Sequence, residues 1–388
     1  MKSQAMLRIL KGIGFFLLLS ILRPQLSSCL AQGSLTPPGA PAPTMKTLDQ
    51  IEARTPISSA PFIISQPGSY YLTTNLITSG GYGVWVATNN VTLDLNGLTI
   101  SSSSPGNSGI GIWINGGNRD IAIFNGHIKS GVTNNGSGVY SGPGFVNGIL
   151  GSGPAPQNVR VSGITVSGIL SAGISLGSGD STVVEHCAVH TVGGYGIAAS
   201  SVADSTALDC GNDALSATAT ANNCYASSGG NAIICNGTAE NCRGDSVNGT
   251  GVNASVAINC YGSSAVSGDG VSGSDVSNCH GEGAGSGNGV TAYIANNCGG
   301  SASASGNGVS ATSAINCVGS SSSGNGIYAI DVALGCYGYS TTGTGLYTFN
   351  AAFCTAASTS FRAIQATIAN GCLSTGGTNL ITFKYNMP

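Results

Sequence analysis

Apolar positions in this chain recur at a long, nearly constant interval. Ile197, Leu215, Ile233, Val252, Val271, Val290, Val309, Ile327, Leu346 and Ile364 each follow a Gly or Ala. A second series runs in step with them: Cys224, Cys242, Cys260, Cys279, Cys298, Cys317, Cys336, Cys354 and Cys372 are 18, 18, 19, 19, 19, 19, 18 and 18 residues apart. Cys187 joins two repeats earlier, with Thr206 taking the slot between. Self-similarity at such a period marks a stacked repeat. Counted from Cys, small or apolar residues occupy −8, −6, −3, 0 and +2. The pairs −8/−6 and 0/+2 have the two-residue period of a strand. The three-residue step from −3 to 0 breaks that period, so the chain must turn there. The turn holds Asn223, Asn241, Asn259, Asn278, Asn297 and Asn316, then Gly335 and Gly371. Asn and Gly tolerate the left-handed backbone of a sharp corner.

Each repeat therefore reads strand, corner, strand, loop, and buries its apolar slots only by stacking on its neighbours. Ser, Gly, Asn and Thr fill the intervals, which disfavours helices. A hexapeptide solenoid would repeat every six residues, and these slots do not. Longer coils precede the regular ones, with markers at Val84, Ile112, Ile149 and Ile174. The interval before Ile149 carries a loop from Lys129 to Asn147 that holds Tyr140 and Phe145. The expected fold is an all-β, right-handed parallel β-helix solenoid of about 14 coils, with 18–19 residues per coil in the C-terminal half. At about 4.8 Å per rung it would be on the order of 65 Å long.

The N-terminus predicts export. Lys2, Arg8 and Lys11 precede an apolar run from Gly12 to Leu22, too short to span a membrane comfortably, and small residues around Ala31 suit a cleavage site. Leu26-Ser-Ser-Cys29 offers a lipid-attachment alternative at Cys29. The expected organisation is a signal peptide at 1–31, a Pro-rich lead and N-terminal cap at 32–61, the β-helix at 62–380 and a tail at 381–388. Thr47-Leu-Asp-Gln50 resembles a capping box, predicting a short helix to about Arg54. No second apolar run predicts a membrane span. The expected location is secreted or periplasmic.

Only 7 % of the 388 residues are charged and 61 are Gly, which suits a backbone-dominated architecture. Loss of residues 1–31 leaves eight basic against fifteen acidic side chains, a net charge near −7. No basic stripe calls for nucleic acid.

Pro67-Gly-Ser-Tyr-Tyr-Leu72, Val91-Thr-Leu-Asp-Leu-Asn-Gly-Leu-Thr-Ile100 and the repeated Asn-Cys corners resemble bacterial secreted right-handed β-helix repeat proteins of the pectin-lyase-like superfamily, over residues 62 to about 375. The resemblance implies the fold; the superfamily's activities include lyases, hydrolases, epimerases and adhesins. The Asn-Thr-Asp, Asp-Asp and Gly-His-Gly motifs of its polygalacturonases do not occur here, and Asn278-Cys-His280-Gly281 is the nearest match to the last. Its pectate lyases use several acidic calcium ligands with a basic residue, whereas Arg243 has only Asp245 nearby.

Twelve cysteines beyond residue 31 invite a disulfide framework. Against it, stacked Cys point the same way at rung spacing, beyond the usual Cβ separation of a bridge, and a straight line of thiols cannot surround a zinc ion. Free, buried thiols are expected on the ladder, with Cys210 and Cys235 off it as the likelier reactive or bridged pair. The slot after Cys should face outward, placing Tyr225, Arg243, Tyr261 and His280 on successive coils, with Tyr337 further on. Such a stripe would bind sugar rings or an acidic glycan, or simply brace neighbouring strands. Tyr140 and Phe145 are further ligand-binding candidates. The acidic cluster comprises Asp180, Glu185, His186, His190, Asp204, Asp209 and Asp213. Glu185 sits two before Cys187 and Asp204 two before Thr206, so they are expected to stack about 5 Å apart. That spacing fits a retaining-glycosidase pair or a calcium site, with Glu185, Asp204, Asp209 and His186 as catalytic candidates, or else a solvated patch. The Gly-Asn-Gly loops read as turns. The favoured function is a secreted non-catalytic scaffold or glycan-binding surface; the alternative is a polysaccharide lyase or glycoside hydrolase with its site in the irregular N-terminal coils.

Overall fold

The computed structural model describes residues 54–387 except Asn107 and Asp180. The export signal, the Cys29 alternative, the Pro-rich lead and the short helix near Thr47 lie outside the described residues, as does Asp180.

The described chain is an all-β parallel solenoid with three walls. The first wall begins at Phe62–Ile64, Tyr82–Val86 and Ile110–Ile114 and carries the markers: Ile197 pairs with Leu215, Leu215 with Ile233, and so on to Leu346 with Ile364. The strand then bends without ending and its second half forms the second wall, where Val202 pairs with Ala221 and Ala221 with Ala239. The third wall follows the corner, as in Tyr225–Ser228 and Arg243–Ser246. The two-residue period of burial in Val318–Ser321 and its neighbours points alternate side chains inward.

The solenoid makes about 17 turns, against about 14 expected. The extra rungs lie at the ends. Thr55–Ile57 pairs parallel with Tyr70–Leu72, so the solenoid starts before residue 62. Thr378–Tyr385 pairs with the strand Arg362–Asn370, so the expected tail from 381 continues a strand. Pro56 disguises the first strand, because a proline is tolerated on a sheet edge but reads as a breaker.

The corner is left-handed as predicted: Asn223, Asn241, Asn259, Asn278, Asn297 and Asn316 have φ of 51–55°, and Gly335 and Gly371 have 63° and 61°. Asn297 donates from Nδ2 to Asn278 Oδ1 at 2.7 Å, and Asn259 to Asn241 at 3.2 Å. Phe353 also occupies this column, at φ 53° and 68 % exposed. Its aromatic side chain has no local hydrogen bond to offset the left-handed geometry.

Two further ladders were hidden in loop-like sequence. The Gly-Asn-Gly segments stack so that the Asn307 amide N–H donates to Asn288 Oδ1 at 2.7 Å and the Asn325 N–H to Asn307 Oδ1 at 2.9 Å. Four residues after Cys, Ser321, Ser340 and Ser358 are buried; Ser340 Oγ donates to Gly324 O at 2.7 Å and accepts from Gly343 N at 2.9 Å. Loop backbone groups are thereby satisfied between coils. Among the described residues no helix is long and apolar enough to cross a membrane.

Candidate functional site

All twelve cysteines in the described residues are free and buried, in agreement with the expected thiol ladder; Cys210 and Cys235, the likelier pair to be bridged on sequence grounds, are free as well. Each ladder thiol donates to the carbonyl two residues before it, as in Cys260 to Ile258 O at 3.2 Å and Cys317 to Ile315 O at 3.2 Å. The slot between Cys187 and Cys224 is filled by Ser205, not Thr206: Thr206 pairs with Ala188, one residue further on. Ser205 Oγ donates to Ala203 O at 2.7 Å, reproducing the thiol contact with oxygen.

That one-residue correction dissolves the expected carboxylate pair. Glu185 stacks on Ala203, and Asp204 occupies the corner, beside His186. The His186 Nε2–Asp204 Oδ2 separation is 3.7 Å, and both side chains are exposed. Glu185 Oε1 instead accepts from Arg160 Nε at 2.7 Å. The two carboxylates are therefore held by different partners in different columns. Among the described residues no group of three or more His, Cys, Asp or Glu is placed to hold a metal ion.

Asp209 is placed differently. On the third wall Ala207 pairs with Ala226 and Cys210 with Ser228, leaving two residues opposite one, a β-bulge. Asp209 sits in that bulge at φ 52°, with Thr191 at φ 55° and Gly168 at φ 68° on the two preceding coils. A bulge re-aims side chains and recurs beside functional sites. The long loop folds over these rungs. Its short antiparallel hairpin pairs Thr133 with Ser141 and Asn134 with Tyr140. Tyr140 Oη donates to Asp209 Oδ1 at 2.8 Å, and Asn134 Nδ2 reaches the same oxygen at 2.6 Å and Tyr140 Oη at 3.1 Å. The ring comes this close because Gly193 and Gly211 lie under it: a Cβ on Gly211 would sit 3.1 Å from Tyr140 Cε2. Burial, and next the Asp209 carboxylate, push the Tyr140 hydroxyl well above its usual pKa. The hydroxyl thus keeps its proton and serves as a hydrogen-bond donor to Asp209. Between the hairpin and the wall lies a cleft of about 420 Å³, whose floor includes Ser227, Gly229 and Asn248.

Phe145, from the same loop, is fully buried and belongs to the core rather than to a ligand surface. It anchors the loop, its N–H donating to Ser130 Oγ at 2.8 Å.

The outward stripe adjoins this cleft, since Ser227 shares a strand and face with Tyr225. Tyr225, Arg243, Tyr261 and His280 pair rung to rung. The Arg243 guanidinium carbon lies 5.4 Å from the Tyr225 ring centroid and 5.0 Å from that of Tyr261. Tyr261 and His280 stack at 5.7 Å with 16° between planes. Ring faces are turned on one another, so solvent meets the edges: hydroxyls, guanidinium and imidazole. A parallel column of Ser227, Asp245, Ser263 and Glu282 runs beside them. Arg243 Nε donates to Asp245 at 3.0 Å and Ser263 Oγ to Asp245 at 2.8 Å. Burial and Asp245 raise the Tyr225 pKa; burial and Glu282 raise that of Tyr261. The stripe ends where Gly299 replaces a side chain, and Tyr337 stands apart from it.

Sequence reasoning missed another aromatic stack, Trp85 on Trp113 at 4.9 Å, with Tyr82 edge-on to Trp85 at 5.6 Å. Trp113 Nε1 donates to Ser152 Oγ at 2.6 Å. The signal was available: both Trp residues directly follow a first-wall marker, as do Tyr328 and Tyr347, which stack at 5.1 Å.

No family model matches the chain, and no curated protein sequence matches it. Among solved structures it is similar to the catalytic domain of a family GH87 α-1,3-glucanase in complex with nigerose, with 10 % identity and a TM-score of 0.35 over 86 % of this chain and 62 % of that one. It is similar to the A-module of Azotobacter vinelandii mannuronan C-5 epimerase AlgE6, with 13 % identity and a TM-score of 0.28 over 83 % of this chain and 91 % of that one. It is also similar to the Dettilon tailspike protein, with 11 % identity and a TM-score of 0.30 over 84 % of this chain and 61 % of that one. The chain thus spans about six-tenths of the glucanase and tailspike chains.

Proposed function

We propose that this is an exported, non-catalytic β-helix that binds an extended carbohydrate chain along its third wall, from the hairpin-walled cleft to Gly299. The observation that carries the reading is the continuity of a polar cleft with four successive rungs of exposed hydrogen-bonding edges. Saccharide hydroxyls both donate and accept, and this surface offers both kinds of partner: Tyr hydroxyls and Arg243 beside Asp245, Glu282 and Ser263. Because the inner ring faces are occupied by the stack itself, recognition along the stripe proceeds through edges rather than through sugar–ring stacking.

The carboxylates support binding over catalysis. Glu185 is neutralised by Arg160, and Asp209 is engaged by Tyr140 and Asn134. A tyrosine held protonated is a poor general base. One observation favours the rival reading of a polysaccharide hydrolase or lyase: Asp209 is held in a left-handed bulge at a cleft, the kind of strained position that active sites retain.

Purified protein tested against immobilised neutral and acidic polysaccharides separates the two. Binding without product release, weakened at least tenfold by Arg243→Ala with Tyr261→Ala at an unchanged unfolding midpoint, supports the proposal. Product release abolished by Asp209→Asn establishes the enzyme instead.

A further inference from the structure

Carbohydrate binding makes no use of the thiol ladder. We propose that adjacent rungs of this ladder bind soft, two-coordinate d10 cations, one ion bridging two sulfurs. Nine cysteines stack rung on rung from Cys224 to Cys372: the residue after a Cys donates its N–H to the Cys carbonyl of the rung before, as where Arg243 N–H donates to Cys224 O, Gly299 N–H to Cys279 O and Leu373 N–H to Cys354 O, and Cys260 N–H reaches Cys279 Sγ at 3.3 Å. Parallel rungs lie about 4.8 Å apart. A metal–thiolate bond of about 2.3 Å, doubled in a straight sulfur–metal–sulfur unit, spans nearly the same distance. With no third His, Cys, Asp or Glu converging on any pair among the described residues, the column offers two-coordination and not the tetrahedron that zinc takes. Soft sulfur ligands select soft metals.

Charge balance fits a buried site. When Hg(II) enters, two S–H bonds break, two S–Hg bonds form and two protons leave to solvent, so the bridged unit is neutral. When Ag(I) enters, one thiol loses its proton to solvent and forms the thiolate bond, while its partner stays protonated and donates a lone pair; this unit is also neutral. Neither places net charge in the apolar interior, which would be costly. The C-terminal end of the column supplies an approach. Leu373–Thr375 is the last strand of the third wall among the described residues, so Cys372 lies at the end of the stack. The register pairing Asn370 with Tyr385 carries Met387, whose thioether is also soft, over Cys372.

The test uses the reduced full chain incubated separately with Ag(I), Hg(II) and Zn(II), then desalted, with bound metal counted and its coordination read by X-ray absorption. The expected result is retention of about four Ag(I) or Hg(II) per chain, since nine stacked thiols make four pairs, with two sulfurs per ion at about 2.3 Å and loss of Zn(II). Cys354→Ser with Cys372→Ser should remove one ion while the fold persists by circular dichroism, because Ser205 already fills this slot in the native chain. Cys210→Ala with Cys235→Ala should remove none. Failure of the folded chain to retain Ag(I) and Hg(II), three or more sulfurs per ion, or loss confined to the Cys210/Cys235 variant would overturn the proposal.

Discussion

Replacing Asn297 by alanine tests the corner column where two costs can be separated. The residue has φ 55° and donates to Asn278 at 2.7 Å from an exposed position. Alanine must keep the left-handed backbone, at about 1–2 kcal/mol, and loses an exposed hydrogen bond worth about 0.5–1 kcal/mol. The expected total is about 2 kcal/mol. Glycine loses the same hydrogen bond and takes the corner without strain, but its unfolded chain is freer by about 0.4–1 kcal/mol. Its expected total is about 1 kcal/mol. Asn297→Ala should therefore be less stable than Asn297→Gly by about 1 kcal/mol, reversing the usual ranking of the two residues in regular structure. Urea titration followed by circular dichroism reads this as a midpoint separation of about 0.3 M at equal slopes. Native precedent exists in Gly335 and Gly371. Equal midpoints, or alanine above glycine, would refute the account of the corner as a left-handed position that selects its residues by backbone strain.

Phe353→Asn should raise stability by about 1 kcal/mol, since Asn tolerates φ 53° better; a thermal melt with no increase would show that the exposed ring contributes more than the strain costs. A Cβ on Gly300 would collide with the backbone carbonyl of Gly308, whereas one on Gly299 would meet only His280 Nδ1, at 2.7 Å. Gly300→Ala should therefore cost about 1–3 kcal/mol, while Gly299→Ala should leave the unfolding midpoint nearly unchanged and displace the His280 ring. Tyr140 has its folded pKa raised above the unfolded value of 10, so its contribution is complete below pH 10 and is lost as pH rises further. Stability should fall more steeply above pH 10 in the wild type than in Tyr140→Phe; parallel curves would contradict the burial assigned to this hydroxyl.

The repeat was legible because its markers are chemically distinctive. Cys and Asn return every 18 or 19 residues, and Gly or Ala followed by Val, Ile or Leu opens each coil. Register failed where the marker changed identity. The 37 residues from Cys187 to Cys224 divide as 18 and 19 in either order. Two residues decide between them: Ser205 is the oxygen analogue of Cys, and Asp204 shares with Asn a tolerance for the left-handed corner. Reading both as members of their columns would have placed Thr206 on the outward face. The buried serines four residues after Cys escaped notice because serine is also the common residue of the loops. The contact between Tyr140 and Asp209 spans 69 positions and depends on how a long loop folds back, which no local period encodes. Phe145 looked like a surface aromatic because it lies among glycines and prolines, yet those are what let the loop turn it into the interior.

Each column advances by one side chain per coil, and this bears on how the gene can change. Excision of residues 280–298 would join Cys279 to Gly299 and leave every ladder closed by the member one rung further on. Unequal recombination between such units can therefore lengthen or shorten the array in single steps without passing through a product that lacks a core. The hairpin and Asp209, which wall the cleft, precede the regular run of cysteine-marked coils that starts at Cys224. The length of the wall can thus change while the hairpin that covers its N-terminal part stays the same.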